Sequence, residues 1–281
     1  MPESGAPLLF VTLAAILVIF VVMIGIFDSG IGGLSVWQKV FELLPGEDYI
    51  YYADSRYCPY GLKSDEFIAE RATKIAQFLT DKGTDLIIVA CNTATAAAID
   101  TLRSEFSIPF VGMEPAIKPA ILKTRTGVVG VLATAVTFTG RLYHNTLAQY
   151  TTGEEIEVIE QVGYGLVETV ENGNVDAPET LKLLHSYIDP MLEAGADHIV
   201  LGCTHYPFLT AEIEKIVDGR AEIVNPAGAV ARQAAKLYNP VRKGSGRLEF
   251  YSSGKFTTAA TNLIDSVCKG HTYCLTDNIT L

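Results

Sequence analysis

Two cysteines close nearly the same phrase. In "DLIIVACNTAT" (85–95) and "DHIVLGCTHYP" (197–207) an aspartate precedes five mostly apolar residues, a cysteine, and then small polar side chains. A thiol at the carboxyl end of a buried strand stands where open α/β sheets bind ligands. With a helix following each strand, the unpaired N–H groups and the positive end of the helix dipole are expected to favour thiolate at Cys91 and Cys203. Two such groups on opposite sides of one ligand suit one reaction in particular. Inverting a carbon acid takes a proton from one face and returns one to the other, and two opposed acid/base groups can do this in either direction by exchanging roles. No redox cofactor is needed.

Other uses of the same residues are blander. A lone strand-end cysteine is commonly a small buried hydrophobe, although two at equivalent positions favour function. Cys203 and His205 are two apart, as metal ligands can be, but a structural zinc site needs four ligands and no second close pair is present. A regulatory disulfide between Cys91 and Cys203 would require their Cα atoms within about 7 Å. Cys58 reads as a bystander.

Polar residues cluster beside the thiols. Asn92 and Thr93, like Thr204 and His205, could bind a carboxylate or an amino group. "FDSGIGG" sets Asp28 and Ser29 at the end of the first strand, before glycines whose turn can aim N–H groups at an anion. It lacks the remainder of a phosphate loop or a dinucleotide fingerprint, and a plain strand-to-helix turn explains it equally well. In "CPYG", Tyr60 and Gly61 offer a hydroxyl and a bare N–H, or simply a proline turn. Thr134 and Thr137 follow a later strand. Glu168, in "GLVETVENG", has the default of a solvated helix residue. His144, His185, His198 and His271 show no partner pattern and read as structural.

Short Val- and Ile-rich runs alternate with helical patterns, which signals βαβ units and parallel sheets. Strands are expected at 24–27, 49–53, 86–90, 110–112, 128–132, 157–161, 198–202 and 222–224, with a later one in "RLEFYSS" and a closing helix. "LTDKGTDLIIVACNT" and "MLEAGADHIVLGCTH" align without gaps 112 residues apart, and "GIFDS" is echoed by "GVLAT". Duplication into two α/β halves is the simplest explanation.

The chain has 281 residues, room for two domains with real cores, and a net charge of −11, which argues against nucleic-acid backbones as partners. Five cysteines without CxxC spacing do not form a disulfide framework and suit a reducing compartment. The start conflicts with that. Residues 8–27 are apolar or small apart from Thr12, long enough for a membrane span. Their end, however, reads as the first buried strand, and the features of a signal peptide are missing. The favoured expectation is an apolar extension over 1–22 outside the working protein, with Met23 as the natural start. A membrane anchor through 8–23 and an additional packed helix are the alternatives.

Taken together and in order, "IGIFDSGIGGLSV", "CPYG", "ACNTAT", "VGMEPAIKPA", "LATAVTFTGRLY", "LVETVENG" and "LGCTHYP" resemble the glutamate racemases of the aspartate/glutamate racemase superfamily. The resemblance runs from Met23 onward. It implies an α/β fold of two pseudo-symmetric open parallel-sheet domains with the active site in the cleft between them. The domains would be 23–115 with 226–281, which is discontinuous, and 116–225. It implies cofactor-independent interconversion of L- and D-glutamate, cytoplasmic, supplying D-glutamate for peptidoglycan synthesis and hence cell-wall biogenesis and cell shape. Cys91 would act on the D-enantiomer and Cys203 on the L-enantiomer, with Asp28, Glu168 and His205 as auxiliary catalytic groups. Substrate would be bound by Asp28, Ser29, Tyr60, Gly61, Asn92, Thr93, Thr134, Thr204 and His205, with no metal and no cofactor. Glutamate is the expected partner, a homodimer is compatible, and direct nucleic-acid contact is not expected. Aspartate or a related amino acid as substrate, or a gyrase-binding protein, are the alternatives. Asn225-Pro226 departs from the Asp-Ser of many relatives.

Overall fold

The computed structural model describes residues 23–114, 116–152, 155–238 and 244–281. The apolar stretch before Met23, and with it the choice between extension and anchor, lies outside the described residues. Among them, no helix is long and apolar enough to cross a membrane.

The described residues form ten strands in chain order: β1 Met23–Asp28, β2 Asp48–Ala53, β3 Leu86–Val89, β4 Phe110–Gly112, β5 Val128–Ala133, β6 Glu157–Val162, β7 His198–Gly202, β8 Glu222–Val224, β9 Leu248–Ser252 and β10 Cys274–Thr276. They form two wholly parallel sheets, ordered β10-β9-β2-β1-β3-β4 and β6-β5-β7-β8. The order β2-β1-β3-β4 in the first is repeated by β6-β5-β7-β8 in the second, so each half has the same topology.

The central strands are buried on both faces, as parallel strands with helical crossovers must be. Alternate residues of β1 serve different cores. Ile24 and Ile26 pack with Trp37, Tyr51 and Phe250, whereas Met23 and Phe27 pack with Ile75, Leu79 and Leu102. In the second sheet Leu132, Ile199 and Leu201 face the helix Pro178–Glu193, and Val129, Val131 and Val200 face the helix Ile117–Lys123. The helix Ala227–Leu237 inserts Ala227, Val230 and Ala234 into the first sheet's core. The side chain of Asn225 accepts the Ala227 N–H at 2.9 Å, so the departure at this position closes the turn that leads into that helix.

The chain returns to the first sheet through β9 and β10. The short, exposed β10 carries no alternation and was not foreseen. Near it the terminal residues run against the helix Asp65–Asp81: Arg71 donates from Nη1 to the Leu281 carbonyl at 2.9 Å, and from Nε and Nη2 to the fully buried Asp54 at 2.9 and 2.8 Å. Tyr60 Oη donates to the same carboxylate at 2.5 Å. A buried charge deprived of its partner is far costlier than an exposed one. Arg71→Met is therefore expected to destabilise the fold by about 3–5 kcal/mol in urea denaturation. A loss below about 1 kcal/mol would show that Asp54 does not need its counter-charge.

Candidate active site

In each sheet the strand order reverses beside its first strand, between β1 and β3 and between β5 and β7. Crevices at the carboxyl ends of strands form at such switch points. Asp28 and Ser29 leave β1 at one of them, with Cys91 following β3. Thr134 and Cys203 follow β5 and β7 at the other. The two ends face each other. Ser29, Tyr60, Gly61, Cys91, Asn92 and Thr93 from the first half line one cavity with Thr134, Val167, Cys203, Thr204 and His205 from the second. The space left among them admits about one water molecule.

Cys91 is the N-cap of the helix Asn92–Glu105, and its sulfur accepts the Ala94 N–H at 3.4 Å. The expected thiolate does not follow from this. Burial pushes the Cys91 thiol well above the ordinary range and the nearby Asp28 carboxylate adds to the effect, while the Ala94 N–H opposes them with less weight. Cys203 does not precede an α-helix directly. It leads into a turn and the 3-10 helix Tyr206–Leu209, and its sulfur lies 3.7 Å from His205 Nδ1.

Asp28 is fully buried. Its Oδ2 accepts N–H groups from Gly30 at 3.2 Å and Gly33 at 3.1 Å, and its Oδ1 accepts the Thr204 hydroxyl at 3.1 Å across the cleft. Burial raises its pKa; His205 and the two N–H donors oppose this. The anions served by the glycine-rich turn are therefore the protein's own carboxylates, since the next N–H, from Ile31, goes to Glu171 Oε1 at 2.8 Å. Absent side chains matter as much as the N–H groups. A Cβ on Gly32 would lie 2.3 Å from His205 Nδ1, and one on Gly30 only 1.9 Å from Glu171 Oε1.

Glu171 was missed from the sequence. Its Oε1 pairs with His205 Nε2 at 2.7 Å from the end of the helix Leu166–Glu171, which also carries Glu168, the auxiliary group that the resemblance implied. Glu168 is exposed, makes no hydrogen bond among the described side chains, and lines an adjoining outer pocket with Leu62, Tyr164 and Val167. The two glutamates stand three residues apart in "LVETVENG", one helical turn, so local pattern does not separate them. Burial alone would raise the Glu171 pKa, but the His205 hydrogen bond and charge, with the Ile31 N–H, bring it below the usual carboxylate value. Burial likewise opposes charge on His205. Its contacts with Cys203, Cys58 and Glu171 outweigh that and hold it well above 6.5.

The remaining predicted residues divide by what is left free. Both polar atoms of the Asn92 amide are buried without a hydrogen-bond partner among the described residues, on the cavity wall. Such a group is costly unless a ligand or water engages it. Thr93 and Thr134 join their hydroxyls across the cleft at 3.1 Å, and Thr134 meets Thr137 at 2.9 Å. Ser29 Oγ accepts from Cys91 at 3.8 Å. Tyr60 reaches the cavity but has spent its hydroxyl on Asp54, which corrects the expectation that it is offered to a ligand. All five cysteines are free. Cys58 is no isolated bystander, because its sulfur contacts Glu171 Oε1 at 3.6 Å. His198 and His185 pair with Asp197 and Asp189, and His271 packs edge-on against Phe41.

The Asp/Glu/Hydantoin racemase family profile matches residues 24–234. The chain is 47% identical over 239 residues to the glutamate racemase of Roseiflexus sp. (strain RS-1), spanning 85% of this chain and 86% of that one. It is 47% identical to the enzyme of Herpetosiphon aurantiacus, over 82% and 92% of the respective chains. Its fold is similar to that of Escherichia coli glutamate racemase in complex with L-glutamate and the activator UDP-MurNAc-Ala. That likeness has a TM-score of 0.80 at 32% identity and covers 92% of this chain and 99% of that one.

The raised His205 pKa has a direct consequence. A group whose pKa rises on folding stabilises the fold fully below its unfolded value, near 6.5, and loses that contribution as pH climbs through the folded value. In Glu171→Gln the His205 ring proton resonance should titrate at lower pH than in the parent protein. An unchanged midpoint by NMR would remove Glu171 as the supporting anion.

Proposed function

The chain belongs to the Asp/Glu/Hydantoin racemase family, and we propose that it interconverts L- and D-glutamate with Cys91 and Cys203 as opposed acid/base groups. One observation carries this assignment: two thiols, each from the switch point of a different sheet, line a single cavity. The curated relatives of high identity are glutamate racemases, which supports glutamate over aspartate as substrate.

In one direction Cys91, as thiolate, takes the α-proton of D-glutamate while the Cys203 thiol delivers a proton to the opposite face. The other direction reverses the roles. One proton leaves carbon and one arrives, so no electrons are exchanged. A thiol whose pKa has been raised by burial makes a strong base once ionised, which suits a weakly acidic α-carbon. Asp28 lies on the Cys91 side, and His205 lies beside Cys203, held by Glu171. These are the groups we assign to proton management at each thiol, with Glu171 in the place first expected of Glu168.

The orphaned Asn92 amide, with Ser29, Thr93, Thr134, Thr204 and the Tyr60-Gly61 backbone, supplies polar groups for the amino and carboxylate ends of the substrate. With room for about one water, the cavity must widen to admit an amino acid. The contacts that would part are those spanning the cleft, such as Thr93–Thr134.

We place residues 23–115 with 226–281 in one domain and 116–225 in the other, consistent with the sheets that their strands join. A cytoplasmic location suits free thiols. There the product D-glutamate would feed peptidoglycan synthesis.

Circular dichroism with each enantiomer, in buffer without pyridoxal phosphate, tests the assignment. A chain beginning at Met23 should racemise both and exchange the substrate α-hydrogen with solvent deuterium. Cys91→Ser and Cys203→Ser should each lower inversion at least about 100-fold, the scale of general acid–base catalysis. Full activity in both variants would end the two-thiol mechanism, and faster turnover of aspartate would shift the substrate. Glu171→Gln should lower kcat more than Glu168→Gln; the reverse order would return the role to Glu168.

A further inference from the structure

The proposed reaction uses two thiols and gives Cys58 no proton-transfer step. Its surroundings are chemically unusual. The Cys58 sulfur lies 3.6 Å from Glu171 Oε1, and His205 Nε2 lies 2.7 Å from the same oxygen. One sulfur, one nitrogen and one carboxylate oxygen thus stand within 4.8 Å of one another. They come from three separate segments: the "CPYG" turn after β2, the end of the helix Leu166–Glu171, and the turn after β7. Gly30 completes the enclosure, since a Cβ there would lie 3.0 Å from the Cys58 sulfur and 1.9 Å from Glu171 Oε1.

Thiolate, imidazole and carboxylate are the three ligand types of zinc. Zinc bound at about 2.3 Å to sulfur and about 2.0–2.2 Å to nitrogen and oxygen holds tetrahedral ligands roughly 3.3–3.6 Å apart. The sulfur–oxygen pair is already at that spacing. The nitrogen–oxygen pair, now at 2.7 Å, needs to widen by about 0.6–0.7 Å as an ion replaces the hydrogen between them. The site is reachable: Cys58 is half-buried and the Glu171 side chain is 20% exposed, although His205 itself is enclosed. Three protein ligands leave a fourth position for water.

We propose that Cys58, Glu171 and His205 bind one zinc-like divalent cation and that its binding switches the racemase off. The ion would take the place of the proton between His205 Nε2 and Glu171 Oε1, with that proton and the Cys58 thiol proton passing to solvent and the freed nitrogen and sulfur lone pairs binding the ion together with the carboxylate. His205 would then be unable to exchange a proton with Cys203. The inhibition rests on the function proposed above; the binding does not.

Cobalt titration of the full chain under reducing, chelator-free conditions tests the binding without turnover. One equivalent should bind with a thiolate-to-cobalt absorption band, and zinc should displace it. Cys58→Ser should lose that band and, with each protein scaled to its own rate without metal, weaken zinc inhibition by more than the roughly 10–100-fold typical of losing an outer-shell partner. In the unsubstituted protein, zinc should protect Cys58 but not the exposed Cys274 from alkylation, read by mass spectrometry, which serves if the variant misfolds. Equal zinc inhibition of Cys58→Ser and parent would place the ion on Cys91 and Cys203 and overturn the proposal, as would the absence of a cobalt band or of Cys58 protection. A protein that binds cobalt in this way but does not racemise glutamate would overturn the function and leave the metal site standing.

Discussion

The hydrogen bond between His205 and Glu171 is the constraint around which the site is arranged. An imidazole enclosed at the meeting of two halves loses hydration, and a charge on it would be expelled unless acceptors compensate. Glu171 supplies a carboxylate, and the Ile31 N–H and Cys58 steady that carboxylate in turn. The glycines of the first turn then have a steric task, because side chains at Gly30 and Gly32 would occupy the space taken by Glu171 and His205. The turn after β1 and the ends of β7 and of the helix Leu166–Glu171 are therefore shaped by one another, though over 140 residues separate some of them.

Duplication explains why this contact lies beside a catalytic candidate. Both sheets share one strand order, and both thiols follow the strand next to the switch point. Equivalent backbone positions then acquired unequal surroundings. Cys91 caps a long helix and feels Asp28, whereas Cys203 enters a short 3-10 turn and touches His205. Such asymmetry would suit the two-thiol mechanism proposed above, because two enantiomers present different groups to each wall. The helix terminus, which sequence logic credits with lowering a thiol pKa, is outweighed at Cys91 by desolvation. One N–H donated to sulfur does not replace the water lost.

Cross-cleft polar contacts join the halves beside apolar ones from Phe208 and Leu263, which pack on a core of each half. Thr204 meets Asp28, Ser35 donates to the Thr204 carbonyl, and Thr93 meets Thr134. Hydrogen bonds of this kind contribute modestly when exchanged with water. They can part to admit a ligand whose own polar groups replace them.

Periodicity and strand-end chemistry marked β1 through β9, the repeat, and the residues Asp28, Cys91 and Cys203, because burial on both faces forces apolar runs and sheets bind ligands at strand ends. The edge strand β10 left no such trace, being exposed along its length. Sequence also placed Asn92, Thr93, Thr204 and His205 beside the thiols, since adjacency in the chain carries over to space. What only the tertiary structure decided was which distant groups meet. Glu171, not Glu168, reaches His205, Tyr60 turns its hydroxyl to Asp54, and Cys58 joins the carboxylate. A helix presents residues three apart on nearly the same face, so the choice between two glutamates rests on what stands opposite, and the one-dimensional chain does not record that.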